Sequence, residues 1–314
     1  MDKSEEGFSK SMATKEEDEQ LNKQQYEAAA DEWDALPDVH CAPAGQQPSP
    51  GDQQHLPTAT ACLEFADVWE YFREKDLSAH MANIQPTMER KPGCRLLFCR
   101  LLGPPALDKR LVPERDRIFA IAQSPLENEE ARQVQMLTTI YKKLMSTRLD
   151  CGRYGHHWES IGFQGSDPAT DLRGAGLLSL VNAVFLVTAP QYGRLSADLY
   201  RLSHDPRQNF PLMVLAINVT RLALNALRHG VLNRECNLRL AVMDVLNEYY
   251  VCLMCEFHRI WKTQGRTIAD SGNVLKVLEH HSLKRYKALR TGLCSYLSQS
   301  KPLQGSAAGG DRNA

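Results

Sequence analysis

Arg173 stands alone at the edge of the most apolar segment of the chain. The stretch "HHWESIGFQGSDPATDLRGAGLLSL", residues 156–180, holds two histidines, the carboxamide of Gln164, the carboxylates of Asp167 and Asp171, and the Arg173 guanidinium. Downstream the charge vanishes: no charged residue occurs from Gly174 to Gly193. A guanidinium at such an edge has two uses. It closes an ion pair or clamps a loop, the commoner fate of a lone arginine near an aspartate. Otherwise it is held out to meet negative charge on something outside the chain. The residue types leave both open.

The neighbouring residues prescribe the frame that must position it. Trp158, Ile161 and Phe163 are bulky apolar anchors beside Gly162 and Gly165, where a sharp backbone path is easy. "SDPATD" reads as a helix start, with Ser166 or Asp167 as N-cap, Pro168 at N1 and Asp171 in the first turn. Gly174 and Gly176 weaken a helix but let another backbone approach closely. "GAGLLSLVNAVFLVTA" then runs for about fifteen residues before Pro190, with Asn182 in its middle. A membrane span needs roughly twenty. The expectation is a helix buried in a protein core, and no transmembrane segment.

Other chemistry-bearing residues converge less well. "CLMC" at 252–255, followed by His258, invites a metal reading. On a helix, however, His258 lies about 240° around the axis from Cys252, so the three do not meet on one face. Core packing is the expected role, with no metal. His156-His157 and His280-His281 are adjacent pairs, and neighbours do not share a face. No G-x-S-x-G, G-x-x-x-x-G-K-[ST] or G-x-G-x-x-G occurs, so the usual hydrolase and nucleotide-binding signatures are missing. "LKRYKALR" has a single stacking residue, Tyr286, and reads as a solvated helix face rather than a nucleic-acid platform.

Composition bounds the rest. The 314 residues carry a net charge of -1, which does not suggest a nucleic-acid or membrane-surface binder. Residues 1–34 hold eleven acids against four lysines, leaving the remainder mildly basic. Nine cysteines are too sparse for a disulfide scaffold, and the first twenty residues are charged throughout, so a cytoplasmic setting is expected. Residues 1–60 and 299–314 read as polar tails, and 61–110 as a lead-in that packs on the domain.

Residues 111–298 read as one all-α domain. In the lead-in, a short helix places Leu63, Val68, Tyr71 and Phe72 together, while "CRLLFCRLLGPPAL" fits a strand or a helical turn equally well. Farther on, Val134, Leu137, Ile140, Tyr141 and Leu144 recur at helical spacing, as do Leu195, Leu199 and Leu202. A helix from Pro211, near N1, is expected to stop at Gly230. Two long helices follow, one over 237–265 and one over 273–297.

The spacing Trp158, three residues, Gly162-Phe163-Gln164, three residues, Pro168, two residues, Asp171, one residue, Arg173-Gly174, one residue, Gly176, then Leu180 resembles the signature of the ELMO-domain family. It departs at Leu172, where Phe is frequent, and at Ala183, where a second Leu is frequent; both remain apolar. The resemblance spans about residues 111–290 and implies an all-helical fold. It implies a GTPase-activating protein for Arf-family and Arf-like small GTPases, with Arg173 as an arginine finger. Trp158, Gly162, Phe163, Gln164, Pro168, Asp171, Gly174 and Gly176 would support the loop or contact the partner. No cofactor is implied, since the GTPase brings its own GTP and Mg²⁺. The other expectation from the family is a non-catalytic adaptor in small-GTPase signalling to actin-cytoskeleton regulators, with cytoskeletal association.

Overall fold

Apolar spacing near 3.6 residues governs the chain, and helices follow from it. In the computed structural model, which describes residues 59–88 and 104–299, there is no β-strand among the described residues. The all-α class expected from periodicity holds. The expected tails lie outside the described residues apart from Ala59, Thr60 and Gln299, as does most of "CRLLFCRLLGPPAL".

The lead-in forms α1 (Phe65–Glu74) and the single turn α2 (Ser78–Met81). A reciprocal capping box of Glu64 and Asp67 starts α1, which buries Val68 and Phe72. The segment is tied to α4 (Ala131–Met145) by polar contacts. The N–H of Leu63 donates to Thr139 Oγ1 at 3.0 Å. The Lys142 ammonium, buried on α4, bonds the Thr60 carbonyl and Asp150 Oδ1, each at 2.6 Å. Burying an ammonium is costly unless it is paired, and these two acceptors meet that need.

At the centre lies α5 (Gly176–Thr188), the uncharged segment. It packs against α1, α3 (Val112–Gln123), α4 and α7 (Leu212–Arg228). Leu177, Leu178, Leu180, Val181 and Val184 are fully buried. Each such side chain contributes about 1.5–3 kcal/mol on burial. Asn182 is equally buried and donates from Nδ2 to Thr220 Oγ1 of α7 at 3.2 Å. No single described helix is long and apolar enough to cross a membrane; α5 passes that test only joined to the preceding turn, bent by 103°.

The other helices surround this core. α6 (Gly193–Ser203) buries Leu195, Leu199 and Leu202, as their spacing predicts. Pro211 proves to be the N-cap of α7 rather than N1, and Gly230, at φ 74°, ends the helix as expected.

Two predicted helices are each broken in two. The one over 237–265 becomes α8 (Asn233–Arg239) and α9 (Met243–Thr263). Leu240 takes the left-handed conformation between them, at φ 52°, and the Met243 N–H donates to Glu114 Oε1 at 2.9 Å. A tertiary contact thus supplies a helix start that no local residue signals. The one over 273–297 becomes α10 (Ser271–Lys284) and α11 (Tyr286–Ser298), broken at Arg285. Cys252 and Cys255 lie in the buried face of α9, and burial pushes both thiols up to about 12.

Leu240 is 53% exposed, so little packing opposes its replacement. Leu240→Gly removes the left-handed penalty of about 1–2 kcal/mol, less the extra chain entropy of glycine. Urea unfolding should show a gain of about 0.5–1 kcal/mol.

Candidate functional site

The segment from His156 to Gly176 is fixed to the core at both ends and turned outward between them. Its first part is a 3₁₀ helix, His156–Ile161. Trp158 is buried there, edge-on to Tyr141 at 5.6 Å and to Phe163 at 6.0 Å. Its indole N–H, which needs a partner inside a core, donates to the Arg153 carbonyl at 3.0 Å. His157 stacks obliquely on the same indole at 4.7 Å, and burial holds its pKa below the usual histidine value.

Gly162 makes the first sharp turn, at φ 90°. A Cβ there would stand 2.2 Å from the Leu212 backbone nitrogen. The turn delivers the Gly162 carbonyl to the start of α7, where it accepts the Val214 N–H at 3.1 Å. The first N–H groups of a helix lack partners within it, and a loop carbonyl meets that need here. Phe163 is buried beside Trp158.

Gln164 exposes part of its side chain, while its backbone N–H donates to Asp171 Oδ2 at 2.7 Å. Asp171 is only 4% exposed, so this bond ties the outgoing arm of the loop to the returning one from inside. Asp167 is the N-cap of the second 3₁₀ helix, Pro168–Gly174. It accepts the Ala169 N–H at 2.9 Å and pairs with Arg153 at 2.8 Å.

Within this turn Arg173 and Thr170 face outward, and most of the other residues face inward. Pro168, Asp171, Leu172, Gly174 and Ala175 are buried; Arg173 is exposed, and it also keeps an interaction within the chain. Leu172, where the signature usually has Phe, is 3% exposed and fills the same apolar role. Gly174 lies on the stem of Arg221 from α7, whose Cδ would be 2.5 Å from a Cβ. Gly176, at φ 47°, sits where a Cβ would be 2.6 Å from the carbonyl oxygens of Ala122 and Ser124. The next N–H, from Leu177, donates to the Ser124 carbonyl at 3.0 Å.

The structure therefore brings Trp158, Gly162, Phe163, Gln164, Pro168, Asp171, Gly174 and Gly176 into one framework, with Arg173 on its outer side. The sequence reading missed Arg153 and Arg221. Arg221 has a signal in hindsight: it is the single charge within the apolar run "FPLMVLAINVTRLALNAL", and it is buried. Arg153, paired across a loop, has none. Among the described residues no group of three His, Cys, Asp or Glu side chains is placed to hold a metal ion.

Because backbone atoms fill the space at Gly162, Gly162→Ala should destabilise the domain by more than about 3 kcal/mol. Gly165, with open space at its Cβ position, serves as the control: Gly165→Ala should stay within about 1 kcal/mol of wild type. Thermal melts of both variants make the comparison.

Comparison with known proteins adds the lineage. The ELMO/CED-12 family pattern matches residues 116–275. ELMO domain-containing protein 3 of Mus musculus is 40% identical over 271 residues, covering 86% of this chain and 69% of that protein. The Homo sapiens protein of the same name is 37% identical over 284 residues, covering 90% and 72%. ELMO domain-containing protein 2 of Mus musculus is 29% identical over 144 residues, covering 45% and 48%. No solved structure matches. The arginine-bearing loop lies inside the matched region, and the chain belongs to the ELMO/CED-12 family.

Proposed function

We propose that this chain is a GTPase-activating protein for Arf-family or Arf-like small GTPases, with Arg173 as the arginine finger supplied in trans. One observation carries the reading. In the turn Pro168–Gly174 the residues next to Arg173 are buried and Arg173 is exposed, so a rigid support presents a guanidinium at the surface.

The chemistry fits this role. Phosphoryl transfer leaves little covalent work for protein groups, so catalysis is mostly positioning and stabilisation of charge on the transferring phosphoryl oxygens. A planar guanidinium meets two such oxygens at once. In Ras-type systems such an arginine accelerates hydrolysis by roughly 10³–10⁵, or about 4–7 kcal/mol. The partner GTPase supplies GTP and Mg²⁺. Asp171 and Gln164 act as positioning residues: the buried Asp171 carboxylate holds the Gln164 backbone, leaving the Gln164 side chain to face the partner. An activator of such a partner works in the cytoplasm, with actin-cytoskeleton regulators as downstream associates.

GTP hydrolysis by purified Arf-like GTPases tests the reading with wild type, Arg173→Lys and Arg173→Ala. Stimulation should fall by roughly 10³ in the alanine variant and substantially in the lysine variant, which keeps the charge but loses the fork. Melts should stay within about 1 kcal/mol of wild type, as for an exposed substitution. Undiminished stimulation by both variants would remove the finger role and favour an adaptor.

A further inference from the structure

A cavity of about 360 Å³ opens between α6, α9 and α11, and no residue of the arginine loop lines it. Its size falls within the range of small-molecule sites, roughly 300–1,000 Å³. Its walls are of two kinds. Leu289, Leu293 and the Tyr296 ring supply an apolar side. His258 and Lys262, one helical turn apart on α9, supply a polar one.

Both polar residues have unused capacity. His258 is 7% exposed, and its Nε2 is buried with no hydrogen-bond partner. Native structures rarely leave a buried ring nitrogen unsatisfied unless something else meets it. Its ring meets Tyr296 edge-on at 5.8 Å. Lys262 is exposed and has no carboxylate within 4 Å among the described residues. The cavity's other ion pairs are already made: Arg259 holds Glu256 at 2.7 Å, and Arg194 lies 3.6 Å from Asp198. Among the described cations that line the cavity, Lys262 is the one with no carboxylate partner. Gly292 completes the wall by its lack of a side chain, with open space where a Cβ would stand.

We propose that this cavity binds a small organic anion. Its acidic head, a carboxylate, sulfonate or phosphate, meets Lys262 and His258, and its apolar or aromatic body lies on Leu289, Leu293 and Tyr296. The site is built from elements other than the arginine loop and does not depend on the function assigned to Arg173.

Fluorescence titration of the full chain with 8-anilinonaphthalene-1-sulfonate tests the site. N-phenyl-1-naphthylamine provides the same body without the acid. The sulfonate should bind saturably with one-to-one stoichiometry, and about tenfold more tightly than the neutral amine, the factor expected for one charge-assisted contact. Lys262→Gln should weaken the sulfonate about tenfold and leave the amine unchanged. Gly292→Leu should abolish binding of both by filling the space. Leucine is a better helix former than glycine, so that variant should melt no lower than wild type. Displacement of the dye by octanoate or by octyl phosphate would identify which acid the site prefers. Non-saturable binding, equal affinity for the neutral amine, unchanged binding by the Gly292→Leu variant, or displacement by neither competitor would overturn the proposal.

Discussion

An uncharged helix that is buried over its first turns, as α5 is from Gly176 to Val184, has to be entered through backbone contacts. The first N–H groups of α5 cannot reach water, and the Leu177 N–H finds its acceptor in the carbonyl of Ser124 at the end of α3. That acceptor is within reach only because Gly176 adopts φ 47° and has no Cβ to strike the Ala122 and Ser124 carbonyls. The chain therefore arrives at the core along one path, bent by 103° from the turn before it. The placement of Pro168–Gly174, and of Arg173 on it, follows from that entry.

The other end of the loop is held as firmly by different means. Trp158 and Phe163 are buried aromatics, and Gly162 presses its backbone against the start of α7. Between these anchors the buried Asp171 carboxylate joins the two arms of the loop through the Gln164 N–H. Three kinds of interaction thus restrict one segment: apolar burial, backbone close approach and a charge-assisted hydrogen bond. A side chain exposed on such a support loses little freedom when it meets a partner, which is the economy expected of a preorganised group.

Much of this was legible in the sequence, and the failures have physical causes. The charge-free run from Gly174 to Gly193 identified the buried helix, and "SDPATD" identified its capped approach, with Asp167 as the cap. The helix boundaries at Leu240 and Arg285 were not legible, because neither glycine nor proline marks them. A leucine in the left-handed region is held there by the fold, through contacts such as that of Glu114 with Met243, more than a hundred residues apart in sequence. Sequence periodicity also hid Arg221. It is buried, and its stem lies against Gly174, a contact set by tertiary packing. Local propensity reports what a segment can do alone, whereas these features depend on what packs against it.

In the proposed role of arginine finger, Arg173 would act on charge that exists only as GTP hydrolysis proceeds. The most direct measurement compares the affinity of wild type and Arg173→Ala for an Arf-like GTPase in two states, one loaded with a non-hydrolysable GTP analogue and one with GDP and aluminium fluoride. A group used in the transition state should matter mainly for its mimic. Arg173→Ala should then lose the aluminium fluoride complex by at least roughly 10²-fold and change affinity for the GTP-analogue complex little. Equal loss in both states, or no loss in either, would contradict the finger role.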